Sequence, residues 1–288
     1  MKTNQRVILF AILFFNVSCT QKIFETAYPT LRDGRFDSEF PYRDCSVQLR
    51  EVGETIRMLY STAYYKTVTF TEDQKIVVSD LADILTLKKG KATFSHNSVV
   101  GTATTIYYDG QRVALLTCSH IVDFPDSIVY LYPGNQYVMS YTVREKQINF
   151  IRDFPEGGEL EVVARDPQVD LAIIGKTFTS TKIDIPVFQY PIGRSKDLEW
   201  GTFIYIMGFP MGHKMITKGI VSSPNKDKKG SFLTDAPFNR GFSGGAVLAI
   251  RDGVPNFELV GLAKSVSAIS SYVLTPSKGY DQSLYDPG

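Results

Sequence analysis

Three side-chain types that together carry out acyl transfer stand far apart in this chain: Ser243 in a glycine-rich turn, His120 at the end of an apolar run, and Asp170 at the mouth of another. Ser243 lies in Asp235-Ala-Pro-Phe-Asn-Arg-Gly-Phe-Ser-Gly-Gly-Ala-Val-Leu248, with Gly241 two residues before it and Gly244-Gly245 directly after. Glycine admits backbone dihedrals closed to other residues, so such a loop can lift a hydroxyl while turning N–H groups toward one point, an oxyanion hole. Taken alone, Gly-x-Ser-Gly-Gly reads equally well as a tight turn before the strand Ala246-Val-Leu-Ala-Ile250. Partners elsewhere decide between the two. His120 closes Val113-Ala-Leu-Leu-Thr-Cys-Ser-His120, and Asp170 opens Asp170-Leu-Ala-Ile-Ile174. A serine hydroxyl is a weak nucleophile at neutral pH; it needs a base, and the base needs an anion to fix its tautomer. Asp166 is the rival carboxylate, but it precedes Pro167 in a turn, whereas Asp170 begins an apolar strand.

The order His120, Asp170, Ser243, with Leu116-Thr-Cys-Ser-His-Ile-Val122, Val169-Asp-Leu-Ala-Ile-Ile174 and Gly241-Phe-Ser-Gly-Gly245, resembles the chymotrypsin-like (trypsin-fold) serine proteases. Ile206-Met-Gly-Phe-Pro-Met-Gly212 and Ile216-Thr-Lys-Gly-Ile-Val-Ser-Ser223 before Leu233-Thr-Asp-Ala236 narrow the likeness to the bacterial branch that includes the HtrA/Deg proteases, over roughly residues 90 to 276. That resemblance implies a serine endopeptidase in which Ser243 attacks the scissile carbonyl, His120 takes and returns the proton, Asp170 orients His120, and the N–H groups of Gly241 and Ser243 hold the oxyanion. It further implies that Val260-Gly-Leu-Ala-Lys264 pairs with substrate backbone, with Gly261, Leu262 and Ala263 walling the pocket for the residue before the cut and Pro237 near its floor. No acidic residue stands at that floor, so small or medium apolar side chains are expected there. Phe242 occupies the place where the digestive and clotting relatives carry the aspartate that captures a newly released N-terminal amine. No activating cut is therefore expected, and the loop is expected to be ordered either by its own packing, with the Phe242 ring buried to fix the turn, or by a ligand or partner that shifts a population between ordered and collapsed loops. Arg240 departs from the proline common before Gly241, and no PDZ domain is expected after Val273-Leu-Thr-Pro276. Two other readings use the same residues: a proteolytically silent binding module on this fold, and a serine esterase.

These residues need rigid elements to bring them together. Ser98–Tyr108 and Arg112–Cys118 flank Asp109-Gly-Gln, a hairpin turn that delivers His120. Further strands are predicted at 127–132, 137–150, 159–164, 203–208, 215–222, 231–234 and 257–265. Short strands at this spacing, with little helical periodicity, predict an all-β fold. The resemblance makes it two six-stranded antiparallel β-barrels, with His120 and Asp170 on the first and Ser243 on the second.

The N-terminal part has a different character. Lys2 and Arg6 precede the apolar run Val7–Phe15, too short to span a bilayer, so residues 1–19 read as a signal peptide. Asn16-Val-Ser-Cys19 resembles a lipoprotein signal-peptidase site, which makes Cys19 the lipidated residue of an exported bacterial cell-envelope protein; a simple secretory peptide is the other reading. Residues 20–45 read as a polar tether, 46–89 as an N-terminal extension packed on the first barrel, and 90–288 as the protease domain. Within the extension, Val47, Val52, Ile56 and Leu59 predict a short amphipathic helix, residues 66–70 and 75–78 strands, and 79–85 a helical turn. Apolar residues make up 43% of the 288, enough for a core, and the formal charge of +1 gives no reason to expect nucleic acid. His96 and His213 lie far from any second ligand at zinc-like spacing, so neither a metal nor a cofactor is expected. Cys45 and Cys118 are left as a disulfide or as two buried thiols.

Overall fold

The computed structural model describes residues 33–41, 43–83, 88–180, 183–224, 227 and 229–264. The expected signal peptide with Cys19, most of the tether and everything after Lys264 lie outside the described residues.

Alternating apolar residues close the first unit. Strands β1 (Ile56–Thr69), β2 (Lys91–Tyr108), β3 (Arg112–Thr117), β7 (Leu171–Thr177), β6 (Glu159–Asp166) and β5 (Val138–Ile151) pair in that order, and β5 pairs back onto β1, completing a six-stranded barrel. β4 (Ser127–Leu131) adds to β5. In β3 every second residue, Val113, Leu115 and Thr117, faces inward, and the first two join Leu59, Ala103, Leu160, Ala172, Ile174 and Phe178 in one cluster. Fully burying such a side chain contributes about 1.5–3 kcal/mol. The turn from β2 to β3 is built as its residues suggest: the Asp109 carboxylate accepts from the N–H groups of Gln111 and Arg112 at 3.0 and 2.6 Å, and Gly110 takes a φ of +94°.

The second unit is, among the described residues, a five-stranded sheet in the order β10 (Leu233–Thr234), β9 (Met215–Ser223), β8 (Phe203–Gly208), β11 (Ala246–Ile250) and β12 (Phe257–Leu262). An isolated parallel bridge joins Ile192 to Leu259. β8 and β11 are buried along their whole length, which is why they read as continuous apolar runs rather than as alternating ones.

The N-terminal region departs most from the sequence reading. The helix α1 (Ser46–Thr55) ends before Ile56, and the chain then extends for fourteen residues as β1, a wall of the first barrel rather than a layer laid on it. Ile56 and Leu59 fit a helical period but are buried in the strand, where Tyr64 and Tyr65 and the run of threonines suit a pleated surface. The strand expected at 75–78 is absent from the described residues; a 3-10 turn at Glu72–Gln74 ends with Lys75 at φ +52°, and another spans Val78–Ala82. Nor is the tether free over its last part. Residues 33–41 lie on the second sheet: the Asp37 N–H donates to the Ile250 carbonyl at 2.8 Å, the Phe203 N–H donates to the Asp37 carbonyl at 2.9 Å, and Phe36 is buried. Val52 of α1 joins the second sheet's cluster with Tyr205 and Leu248, so the segment ahead of the first barrel ties the two units together. Among the described residues no helix is long and apolar enough to cross a membrane.

Candidate active site

Register brings His120 to Asp170. Thr117, the last residue of β3, faces Ala172 of β7, so two residues further on Ser119 comes opposite Asp170, and the Ser119 N–H donates to the Asp170 carbonyl at 3.2 Å. There the chain turns into the single-turn helix α2 (Ser119–Val122), which carries His120 outward while Ile121 and Val122 stay buried. Asp170 holds that turn with both oxygens: Oδ1 accepts from the His120 backbone N–H at 2.9 Å and Oδ2 lies 2.8 Å from His120 Nδ1. An ionised carboxylate only accepts, so this contact assigns the proton to Nδ1 and leaves Nε2 as the ring's free base. Asp170 itself sits at φ +60°, a left-handed conformation uncommon outside glycine, stabilised by these bonds. The rival Asp166 is exposed and turns back on the Gln168 N–H at 2.9 Å.

The serine loop follows β10 and precedes β11. Asn239–Phe242 forms a turn closed by the Phe242 N–H and the Asn239 carbonyl at 3.2 Å, with Gly241 in its third position at φ +102°, where a type II turn requires a positive φ. A Cβ on Gly241 would stand 2.3 Å from the Phe209 carbonyl oxygen, and one on Gly244 2.0 Å from that of Thr102. In a trans peptide the N–H and the preceding C=O point in opposite directions. The Arg240 carbonyl accepts from Met211 N–H at 3.0 Å and the Phe242 carbonyl from Gly245 N–H at 2.7 Å. Each therefore aims the N–H at the other end of its peptide, Gly241 and Ser243, the opposite way. Neither of these N–H groups nor the Ser243 hydroxyl has a hydrogen-bond partner among the described residues. Phe242 is 2% exposed and its ring lies 5.7 Å from that of Phe238, so the residue before the serine is held by packing.

Strand β2 joins the two halves. The Thr102 N–H donates to the Ser243 carbonyl at 2.7 Å, and the Thr102 hydroxyl donates to the Gly241 carbonyl at 2.7 Å while accepting from the Phe209 N–H at 3.0 Å. Thr117 Oγ1 completes the set by donating to the Thr102 carbonyl at 2.7 Å. The sequence reading passed over both threonines. Their one signal was a run of hydroxyl side chains, Thr102, Thr104, Thr105 and Thr117, at buried positions of apolar strands.

A cavity of about 510 Å³ adjoins this site, lined by Asp170, Phe232, Phe238, Leu262, Ala263 and Lys264 among others. Gly261 also lines it, but Pro237 does not: it is exposed, and its neighbour Phe238 turns inward instead. Cys118, at the cavity's inner end, is a free thiol, as is Cys45; each is buried in a different cluster, Cys118 beside the Ala263 carbonyl at 3.5 Å and Cys45 beside the Tyr205 hydroxyl at 3.5 Å. Burial, then the Asp170 charge, pushes the Cys118 thiol up to about 12. It thus stays protonated beside His120 and Asp170, its Sγ within 4.8 Å of ligand atoms of both. His96 is exposed on β2 with its ring 6.3 Å from that of Tyr64, and His213 is also exposed.

A family model described as "Trypsin-like peptidase domain" matches residues 101–262, more than half of the chain. The chain belongs to that family. This trypsin-like peptidase domain runs from the residue before Thr102 to the end of β12, spanning every element that carries His120, Asp170 and Ser243. It is similar to a "Serine protease HtrA-like" of Staphylococcus haemolyticus, 26% identical over 73% of this chain and 33% of that protein. A "Probable periplasmic serine endoprotease DegP-like" of Pseudomonas fluorescens is 33% identical over 42% of this chain and 23% of its own length. The "Periplasmic serine endoprotease DegP" of Escherichia coli is 30% identical over 48% of this chain and 28% of its own. The chain thus spans a third or less of the length of these relatives, which are serine proteases. Among solved structures, a crystal structure of Deg5 aligns at a TM-score of 0.39 and 18% identity, covering 70% of this chain and 78% of that one.

Proposed function

We propose that this chain is a serine endopeptidase that cleaves polypeptides through Ser243, His120 and Asp170. The observation that carries the reading is the two-oxygen grip of Asp170 on His120, through the ring at 2.8 Å and the backbone at 2.9 Å. A carboxylate held this way fixes the Nδ1–H tautomer and stabilises the imidazolium that forms when Nε2 takes the Ser243 proton. As Ser243 Oγ bonds to the scissile carbonyl carbon, the carbonyl oxygen gains charge, and the N–H groups of Gly241 and Ser243 stabilise it. Losing one such donor typically costs about 3 kcal/mol. The imidazolium then protonates the leaving amine, and a water deprotonated by His120 releases the acyl group. Phe232, Phe238 and Leu262 favour an apolar side chain before the cut, and of the two acidic residues that line the cavity Asp170 is engaged by His120. Asp227 lies among the lining residues next to Lys229 and Lys264, at the polar end.

Export and a lipid anchor at Cys19 belong to the same proposal, supported by the leader sequence and by the periplasmic names of two relatives. Cys19→Ser should move the protein from the membrane fraction to the soluble one; wild-type protein found wholly soluble would remove the anchor.

The test of the activity is Ser243→Ala together with fluorophosphonate labelling. The wild-type chain should label on Ser243 and hydrolyse an unfolded protein such as casein. Ser243→Ala should lose both, with turnover down on the order of a millionfold. Casein cleavage surviving in Ser243→Ala overturns the assignment. A folded wild type that never labels favours a binding module, and labelling with ester but no peptide turnover favours an esterase.

A further inference from the structure

We propose that Thr102, on the first barrel, is a positioning residue that holds the oxyanion loop of the second sheet in its working shape. The inference rests on the serine-hydrolase reading of Ser243 and concerns how the loop is kept ready.

Of the two N–H groups that would hold the oxyanion, that of Ser243 belongs to a peptide fixed within the loop by the Gly245 N–H, and that of Gly241 to one fixed from outside. The plane carrying the Gly241 N–H is fixed by the bond from Met211 N–H to the Arg240 carbonyl, 3.0 Å. The next plane is fixed at its carbonyl end by the Thr102 hydroxyl, 2.7 Å from the Gly241 oxygen. The same hydroxyl accepts from the Phe209 N–H at 3.0 Å, two residues before Met211. One oxygen therefore holds both the serine loop and the turn that orients it. Rotating the Arg240–Gly241 peptide away from its present plane would break the Met211 bond and strain the Gly241 contact with Thr102. A third tie, from Thr102 N–H to the Ser243 carbonyl at 2.7 Å, fixes the nucleophile's own backbone to β2.

Thr102 is wholly buried, so no water takes over these bonds when the hydroxyl is lost. The same packing explains two local rules: Gly241 and Gly244 lack side chains because the carbonyls of Phe209, just past β8, and of Thr102, on β2, leave no room for a Cβ. The hydroxyl touches neither the cavity wall residues nor His120, so its loss should weaken transition-state stabilisation and leave substrate binding alone.

The test compares Thr102→Val, which keeps the shape and deletes the hydroxyl, with Thr102→Ser, which keeps the hydroxyl, in the full chain. Ser61→Ala is the control, since it deletes an equally buried hydroxyl that bonds Asn149 inside the first barrel and nothing of the serine loop. With a chromogenic peptide, Thr102→Val should lower kcat about 100-fold, the scale of an ångström-sized misplacement. KM should stay within about threefold, and the fluorophosphonate labelling rate should fall in parallel with kcat. Thr102→Ser should recover kcat to within about fivefold, and Ser61→Ala should keep it within about threefold despite a comparable loss of melting temperature. If Thr102→Val does not accumulate as folded protein, Thr102→Cys, with a weak donor in the same place, should show a kcat loss of about tenfold. Unchanged kcat in these Thr102 variants, a loss confined to KM, or an equal kcat loss in Ser61→Ala overturns the latch. A wild type that never labels overturns the serine-hydrolase reading and the latch with it, whereas labelling equally fast in wild type and Thr102→Val overturns the latch alone.

Discussion

His120 and Asp170 stand on adjoining strand ends of one closed barrel, and the bonds that orient them are continuations of the ladder between β3 and β7. Ser243 stands on a loop of a five-stranded sheet, and part of what fixes that loop comes from the other unit, through β2. The half that carries the proposed base is thus self-contained, while the half that carries the proposed nucleophile is completed only when the two units are packed together. The contrast teaches where each half is vulnerable: the first to a change in one carboxylate, the second to changes in backbone room and in packing.

The largest effect is expected from Asp170→Asn. The amide oxygen still accepts from the His120 backbone N–H, so the turn survives, but an NH₂ group now faces Nδ1 and forces the proton to Nε2, the nitrogen that must be basic. Turnover should fall about 10⁴-fold with the melting temperature little changed. Activity within tenfold of wild type would mean that the carboxylate positions without electrostatic work, and the base half would be less self-contained than its geometry implies.

Gly241→Ala tests the other half. At φ +102° with the Phe209 oxygen 2.3 Å from the new Cβ, the turn must shift, and one oxyanion donor with it. A loss of about 100- to 1,000-fold in kcat is expected, with the His120–Asp170 contact intact in a structure of the variant. A smaller loss with the same turn would show that the Met211 and Thr102 bonds tolerate a Cβ. Phe242→Leu should act more mildly, costing about 1.5 kcal/mol because the residue is buried but the volume change is modest. Thermal unfolding measures the first part of that claim, and the labelling rate at a temperature well below melting measures whether ring packing alone orders the turn.

How much of this was legible depended on whether the signal was local. The segments around His120 and Asp170, the Asp109-Gly-Gln hairpin and the fully apolar β8 and β11 were readable because each rests on residues close together in sequence. Phe242 could be read as a packing residue because a phenylalanine there has no charge to offer an amine. Thr102 could not be read, because a threonine in a strand looks alike whether its hydroxyl meets a neighbour strand or a loop 139 residues away. β1 was read as extension because Ile56 and Leu59 fit a helical period; in the strand they are buried on opposite sides, Ile56 in the second sheet's cluster and Leu59 in the barrel's, and only the pairing with β2 and β5 reveals it. Pro237 was placed at the pocket floor by counting back from Ser243, but the chain turns there so that Phe238 faces inward instead.

The smallest effect, and one confined to the second unit, concerns the segment laid across it. Asp37 is half-buried between Phe203 and Ile250, with one oxygen accepting from the Gly253 N–H at 3.1 Å. Loss of hydration raises its carboxyl from 3.8 to about 6; the Gly253 bond opposes the rise, and the charges of Glu39, Asp252 and Asp33 add to it. A carboxyl that holds its proton more tightly when folded contributes most below pH 4, where it is protonated in both states, and stability is lost as pH rises from about 4 through about 6. Half-exposure screens the effect, leaving about 1 kcal/mol above pH 6. Asp37→Asn keeps an acceptor for Gly253 and removes the charge, so at pH 7.5 it should raise the melting temperature by about 2–4 °C and at pH 4 by nothing measurable. Labelling of Ser243 should not change at either pH, because the segment bonds Phe203 and Ile250, the ends of β8 and β11 remote from the serine loop, and neither Thr102 nor that loop. A stabilisation equal at both pH values would show that the charge is not the cause, and a change in labelling would show that the segment reaches the nucleophile half after all.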